Sequence, residues 1–322
     1  MRLTSGGIIA NYRCNASCGH CLYGCSPTAE PGYIDAQKAE HLCALLRQNG
    51  CRGLHIGGGE PFLKPDALCD LVRVIIDSGI VLEYIETNAG WISRDDTRNR
   101  EILRNLRNAG ADCIMFSVDP FHIGFVPLWK PVALRKLLDE EGFSYFIWKE
   151  QYLHVFAGLD RERTYAPDEL ASALGYDACG QCAREYGMGF NGRALNLLRE
   201  YGTHKPLESY LTGKPCDALT DAGHFHADYL GQYVPPRCTG IGIPLEDVDN
   251  LAAPNEHKYP ILHRLRTGGL RALYEFAQAH GFTPNAAGYV SACELCFELR
   301  RALTAADNFA ELTPRAFYTQ DY

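Results

Sequence analysis

The chain has 322 residues, with 31 Lys plus Arg against 39 Asp plus Glu and a formal net charge of -8 at pH 7; that length suits one large α/β unit or a large unit with a small second one, and the acidic balance, with no basic stripe, argues against a nucleic-acid partner. No stretch approaches a membrane span, and Asn11, Tyr12 and Arg13 interrupt the opening before a signal-like apolar run can form. Fourteen cysteines in so long a chain do not read as a small secreted disulfide scaffold; metal-bound thiolates in a reducing, cytoplasmic setting fit them better.

In chain order, residues 7–12 read as a short first strand, followed in a loop by Cys14-Asn-Ala-Ser-Cys18-Gly-His-Cys21, with Cys25 four residues further on. Residues 35–48 carry Ala39, Leu42, Cys43, Leu45 and Leu46 on one apolar arc and predict a helix. A strand at 53–57 runs into Gly57-Gly-Gly-Glu-Pro61, followed by a helix at 63–77 and a strand at 81–87. A helix at 97–109, a strand at 113–118, a helical stretch at 126–141 and a strand-like run at 145–155 continue the alternation. Alternating strands and helices predict parallel β-structure with right-handed crossovers. A closed eight-unit barrel takes about 250 residues. The clear units here run out near residue 194, so the expectation is a partial (β/α)6 TIM-like barrel over residues 1–205.

Beyond residue 205 helix signals fade until His257, and Gly, Pro, His and Tyr become dense. Cys216, Cys238, Cys293 and Cys296 all lie here, with helices expected at 262–280 and 293–306. Residues 206–322 therefore read as a small C-terminal module held together by something other than a large core.

Thiolates select soft metals, and iron–sulfur clusters are held by cysteine sulfur. A four-iron cubane needs four ligands to be closed, so a compact group of three cysteines leaves one iron for something else. Cys14-x3-Cys18-x2-Cys21 together with Gly57-Gly-Gly-Glu-Pro61 resembles the radical S-adenosylmethionine (SAM) superfamily. The resemblance covers roughly residues 7–194. It implies that Cys14, Cys18 and Cys21 bind a [4Fe–4S] cluster and that SAM chelates the open iron. It further implies reductive cleavage of SAM to a 5′-deoxyadenosyl radical that abstracts hydrogen from substrate, with a flavodoxin or ferredoxin as electron donor. Gly58, Gly59 and Glu60 are expected to meet the SAM methionine amine. Thr87 and Asn88 at the end of the third strand either bind SAM or substrate or cap a turn. Ser117 and Asp119 resemble the position where polar groups meet the ribose or the SAM carboxylate, and His122 contacts substrate or belongs to a loop. The family usually has an aromatic residue just before the third cysteine; here it is His20, whose imidazole can still stack near the adenine. Gly187-Met-Gly-Phe-Asn-Gly-Arg-Ala194 resembles the family's later glycine-rich segment, where Arg193 pairs with a ligand carboxylate or a structural one. The competing reading is a structural zinc site with Cys25 or His20 as fourth ligand.

Cys216, Cys238, Cys293 and Cys296 resemble the auxiliary-cluster domains of some family members, in the shortened (twitch-like, SPASM-related) form with one extra [4Fe–4S] cluster; zinc is the alternative. The stretch from His226 to Cys238 looks like their β-hairpin. Cys179-Gly-Gln-Cys182 competes with Cys293-Glu-Leu-Cys296 for that role, Cys25 and Cys51 stay open, and Cys43, Cys69 and Cys113 read as small core residues. A closed auxiliary cluster would carry electrons, which favours an oxidative outcome. Modification of a ribosomally made peptide is preferred over dehydrogenation or rearrangement of a small molecule. A non-enzymatic iron–sulfur or zinc scaffold is the reading of another class.

Overall fold

Strand–helix steps lay down the first half of the molecule, and a computed structural model describes residues 2–185 and 191–319. The steps are β1 (Ser5–Ile9), α1 (Ala36–Gln48), β2 (Gly53–Gly57), α2 (Pro65–Asp77), β3 (Val81–Thr87), α3 (Asp96–Ala109), β4 (Cys113–Ser117), α4 (Trp129–Glu141) and β5 (Ser144–Trp148). Side chains start the helices where the sequence supplies them. Asp35 accepts a hydrogen bond from Lys38 N at 2.8 Å ahead of α1, and Asp95 accepts from Thr97 N and Arg98 N ahead of α3.

The strands form one eight-stranded sheet in the order β5-β4-β3-β2-β1-β6-β7-β8, where β6 is Phe225–Asp228, β7 is Gln232–Val234 and β8 is Ile243–Pro244. Pairing is parallel from β5 through β1 to β6 and antiparallel for β6–β7 and β7–β8. The molecule is thus a mixed α/β partial barrel. β1 and β2 are buried almost throughout, as in a parallel sheet covered on both faces. β3, β4 and β5 alternate: Ile85, Ile114 and Phe116 face the helices, while Tyr84, Met115, Phe146 and Trp148 face a hollow interior.

Three expectations are corrected. The strand-like run to residue 155 stops at Trp148; Lys149 takes a φ of 64° and the chain turns into α5 (Gln151–Val155). No βα unit follows directly: α5 leads to α6 (Pro167–Leu174), α7 (Ala178–Glu185) and α8 (Ala194–Tyr201), and the sixth parallel strand, β6, joins the opposite edge beside β1. The sheet therefore runs across the expected boundary near residue 205. The helix expected at 262–280 is two, α9 (Pro260–Thr267) and α10 (Gly269–Ala279), ahead of α11 (Ala292–Ala306) and the short α12 (Ala316–Thr319). The hairpin is present as β6–β7. Asp228 closes it by accepting from Leu230 N and Gln232 N, each at 3.0 Å, and it also accepts from Tyr12 Oη at 2.9 Å.

Candidate cofactor site

The C-terminal ends of β1 to β4 open onto a cavity of about 510 Å³. Cys14, Cys18 and Cys21 reach it from the loop after β1, Gly58 and Gly59 from the turn after β2, Thr87 and Asn88 from the end of β3, and Ser117 from the end of β4. His20, Cys25 and His122 line it too. The cysteine loop is fixed by backbone hydrogen bonds, Cys14 N to Ser26 O and Cys21 N to Cys18 O, both 3.0 Å. Arg193 clamps it from the start of α8, donating to Cys18 O, Gly24 O and Cys25 O, each at 2.9 Å. Arg193 therefore holds carbonyls of the cysteine loop, where a carboxylate partner had been expected. Residues 187–190 of the glycine-rich stretch lie outside the described residues.

The glycines after β2 meet the chain's own backbone. Gly58 has a φ of 134°, and a Cβ on Gly59 would fall on the carbonyl of Arg13. Their closeness lets Gly59 N donate to Asn11 O at 2.8 Å and Glu60 N to Arg13 O at 2.9 Å, so the turn and the cysteine loop are zipped together. Glu60 differs from the ligand-facing carboxylate expected of it. It is fully buried and accepts from Phe62 N at 3.1 Å, Asn88 N at 2.9 Å and Thr87 Oγ1 at 2.9 and 3.0 Å. Burial pushes its carboxyl up to about 7 against those hydrogen bonds. Its effect is to set the end of β3. Asn88 then presents Nδ2 to Cys14 Sγ at 3.4 Å, where Ala16 N also points.

Asp119 is likewise buried and turned inward, accepting from Phe121 N at 2.9 Å and His122 N at 3.0 Å, with His122 Nδ1 2.8 Å from its other oxygen. Burial alone would raise this carboxyl, but His122 and then His20 hold it well below the usual carboxylate range. Burial opposes charge on His122, yet Asp119 and Cys18 lift it well above its ordinary value. His20 stacks on Phe121 at 4.7 Å, and burial pushes it down to about 4. Cys18, His20 and His122 bring ligand atoms within 4.8 Å of one another; this group shares Cys18 and His20 with the zinc alternative but does not include Cys14, Cys21 or Cys25. Cys25 N donates to Cys21 Sγ at 3.3 Å. A hydrogen bond from the Cys25 thiol, and after it the Arg193 charge, favours thiolate at Cys21 over its ordinary state.

The C-terminal cysteines come from three places. Cys216 lies before a short 3-10 turn, Cys238 after β7, and Cys293 and Cys296 in the first turns of α11, which Ser291 caps by accepting from Glu294 N at 3.0 Å. Burial raises the Cys216, Cys238 and Cys293 thiols, and the neighbouring cysteines of the same group raise them further; the four are thus electrostatic neighbours. The fully buried Arg300 packs among them, donating to Thr239 O at 2.7 Å, Cys296 O at 3.3 Å and Tyr318 Oη at 2.5 Å. Cys179 and Cys182 face elsewhere on α7, toward Pro120 O and Tyr152.

Several interior residues had no assigned role: Tyr84, Glu86, Met115, Phe146 and Trp148. Their signal was present in the period-two alternation of β3 to β5, but which face would stay hollow depends on sheet curvature. Three thiols on one cavity, with amide N–H groups aimed at Cys14 sulfur and room beside them, fit a [4Fe–4S] cluster with SAM on its open iron.

Residues 8–124 match the family model of the Radical SAM superfamily. Among curated proteins, a GTP 3′,8-cyclase of Chlorobaculum tepidum is 30% identical over 155 residues, 48% of this chain and 39% of that protein. The putative peptide biosynthesis protein YydG of Bacillus subtilis is 20% identical over 193 residues, 60% of this chain and 57% of that one. The chain thus spans well under two thirds of either relative. Among solved structures, anSMEcpe with bound AdoMet and a Kp18Cys peptide overlaps with a TM-score of 0.46 and 13% identity, covering 94% of this chain and 99% of that one. No helix among the described residues is long and apolar enough to cross a membrane. The family match begins in β1 and ends just past His122, taking in the whole cysteine loop and the glycine turn zipped to it; over residues 8–124 the chain is similar to the Radical SAM superfamily, and its residues there fit a [4Fe–4S] cluster and SAM.

Proposed function

We propose that Cys14, Cys18 and Cys21 hold the cluster and that the enzyme oxidatively modifies a ribosomally made peptide. The observation that carries the reading is the convergence of those three thiols, the glycine turn and the ends of β3 and β4 on one cavity. When bound, the cluster and SAM supply a hydrogen-abstracting radical by one-electron chemistry. The chain's own part is placement. Asn88 and Ser117 offer amide and hydroxyl groups to SAM at the rim, beside Thr87, whose hydroxyl holds Glu60. Phe146 and Trp148, 42% and 43% exposed, offer apolar surface for a substrate side chain in the interior. A target C–H must be held at van der Waals distance for selective abstraction.

The match with the peptide biosynthesis protein YydG supports a peptide substrate. The match with GTP 3′,8-cyclase favours the second reading, a small-molecule substrate. Cys216, Cys238, Cys293 and Cys296 are proposed as ligands of a second [4Fe–4S] cluster that accepts the substrate's electron. A flavodoxin or ferredoxin would reduce the first.

Anaerobic reconstitution, followed by dithionite and SAM, tests this. About eight irons per chain with 5′-deoxyadenosine formed supports two clusters. About four irons with product removes the auxiliary cluster and the oxidative argument. A loaded protein that neither binds SAM nor forms 5′-deoxyadenosine is the scaffold.

A further inference from the structure

Away from the thiolates, the barrel interior holds three histidines that the radical chemistry does not use. His55 lies on β2, His226 on β6, and His224 just before β6. The two strands flank β1, and His55 and His226 are both in register with Gly7. A Cβ on Gly7 would overlap both rings, so this glycine is what allows imidazoles from two non-adjacent strands to meet across the strand between them. His55 Nε2 and His226 Nε2 are 3.2 Å apart. The ligand atoms of His55, His224 and His226 all lie within 4.8 Å of one another. Glu86 Oε1 is 3.8 Å from His55 Nε2. His55 is 1% exposed and His226 9%, and Nδ1 of each has no hydrogen-bond partner among the described residues. The rings are held by shape: His55 stacks on Tyr84 at 4.9 Å and on His224 at 5.1 Å, and His226 stands edge-on to both histidines.

We propose that His55, His224 and His226, with Glu86 beside them, bind one divalent transition-metal ion in the wall of the barrel interior, separate from the thiolate rim. Imidazole nitrogens are ligands of choice for zinc, iron(II) and their neighbours. Two nitrogens on one tetrahedral zinc, each at about 2.0–2.1 Å, stand about 3.3 Å apart, close to the separation of the buried pair. His224, Tyr84 and Glu86 line the same cavity as the cysteines. A metal position left open by Glu86 would face that cavity and take an oxygen, nitrogen or sulfur donor from a bound substrate.

The inference does not depend on the radical reading, since it uses none of the cysteines. The test uses the full chain, anaerobically loaded with iron and sulfide, given zinc and desalted. Metal analysis and zinc-edge X-ray absorption then read the result. Expected is a single equivalent of zinc bound by nitrogen and oxygen at about 2.0–2.1 Å with an imidazole outer shell. His55→Gln and His226→Gln should each lose that zinc while keeping iron. His224→Gln, at the exposed member, should weaken it without disturbing the buried pair. No retained zinc, zinc ligated by sulfur at about 2.3 Å, or full retention in all three variants overturns the proposal. Should a buried-site variant lose iron as well through misfolding, the wild-type spectrum and His224→Gln decide.

Discussion

Cys14, Cys18 and Cys21 come from one short loop, whereas Cys216, Cys238, Cys293 and Cys296 come from three segments brought together by the fold. Yet an arginine does similar work in both. Arg193 donates to three carbonyls of the first loop, half-buried behind it. Arg300, fully buried, donates to carbonyls of Thr239 and Cys296 and to Tyr318. The loop carries its own shape and the arginine only clamps it. In the second group the arginine joins segments with no local tie. Arg300 also places positive charge among thiols that otherwise raise one another, offsetting in part the burial that raises them.

The largest expected effect falls on the loop. Replacing Cys14, Cys18 and Cys21 together by alanine should abolish 5′-deoxyadenosine and remove about four irons from the reconstituted protein, leaving the iron of the C-terminal group in place. Iron lost from both groups would show that they are not independent. Next is Arg300→Met, which takes the donor away from Thr239 O, Cys296 O and Tyr318 Oη; it should cost about 3–5 kcal/mol in urea unfolding and lower iron at the C-terminal group alone. Arg193→Met should cost less, about 2–3 kcal/mol, and show mainly as faster iron loss from the loop. If it proved the costlier of the two, the contrast between clamp and joint would fail.

Two buried carboxylates sharpen the comparison further. Glu60 beside the loop holds its proton up to about pH 7 because of burial, against an ordinary value of 4.5. The unfolded chain gives up that proton earlier, so the stabilisation is full below about pH 4.5 and is lost as pH rises through about 7. Urea midpoints of wild type and Glu60→Gln across that window should differ in slope, the variant being flatter. The variant should also be weaker by about 2 kcal/mol, since an amide NH2 would face donors at Thr87 and Asn88. Glu311, in the C-terminal region, is raised by burial in the same direction. Its Oε1 accepts from Ile261 N at 2.7 Å, and its Oε2 meets no partner among the described residues. Glu311→Gln is thus the smallest effect, within about 1 kcal/mol of wild type.

The sequence made the strands and helices through β4 legible because each carries its own period and the helices their own caps. It made the cysteine loop legible because ligand spacing is local. What it hid was non-local or conformational. Lys149 ends β5 by adopting a positive φ that no glycine advertises. Glu60 and Asp119 have the right residue types at the right strand ends, but their orientation depends on which backbone N–H groups surround them. The pairing of β6 with β1 rests on Gly6 and Gly7, whose bare backbones admit Phe225, His55 and His226. In the sequence those glycines look like any weak strand start.

That pairing has a consequence for the newly made chain. β1 emerges first, and β2 can cover one of its edges early, but the strand for the other edge begins only at Phe225. At about 5–20 residues per second of synthesis, that edge waits roughly ten to forty seconds for its neighbour. During this time Ile8 and Ile9, fully buried in the finished molecule, lie on an open strand edge able to pair with another chain. Expression at lower temperature or with strand-binding chaperones should therefore raise the recovered yield of folded protein.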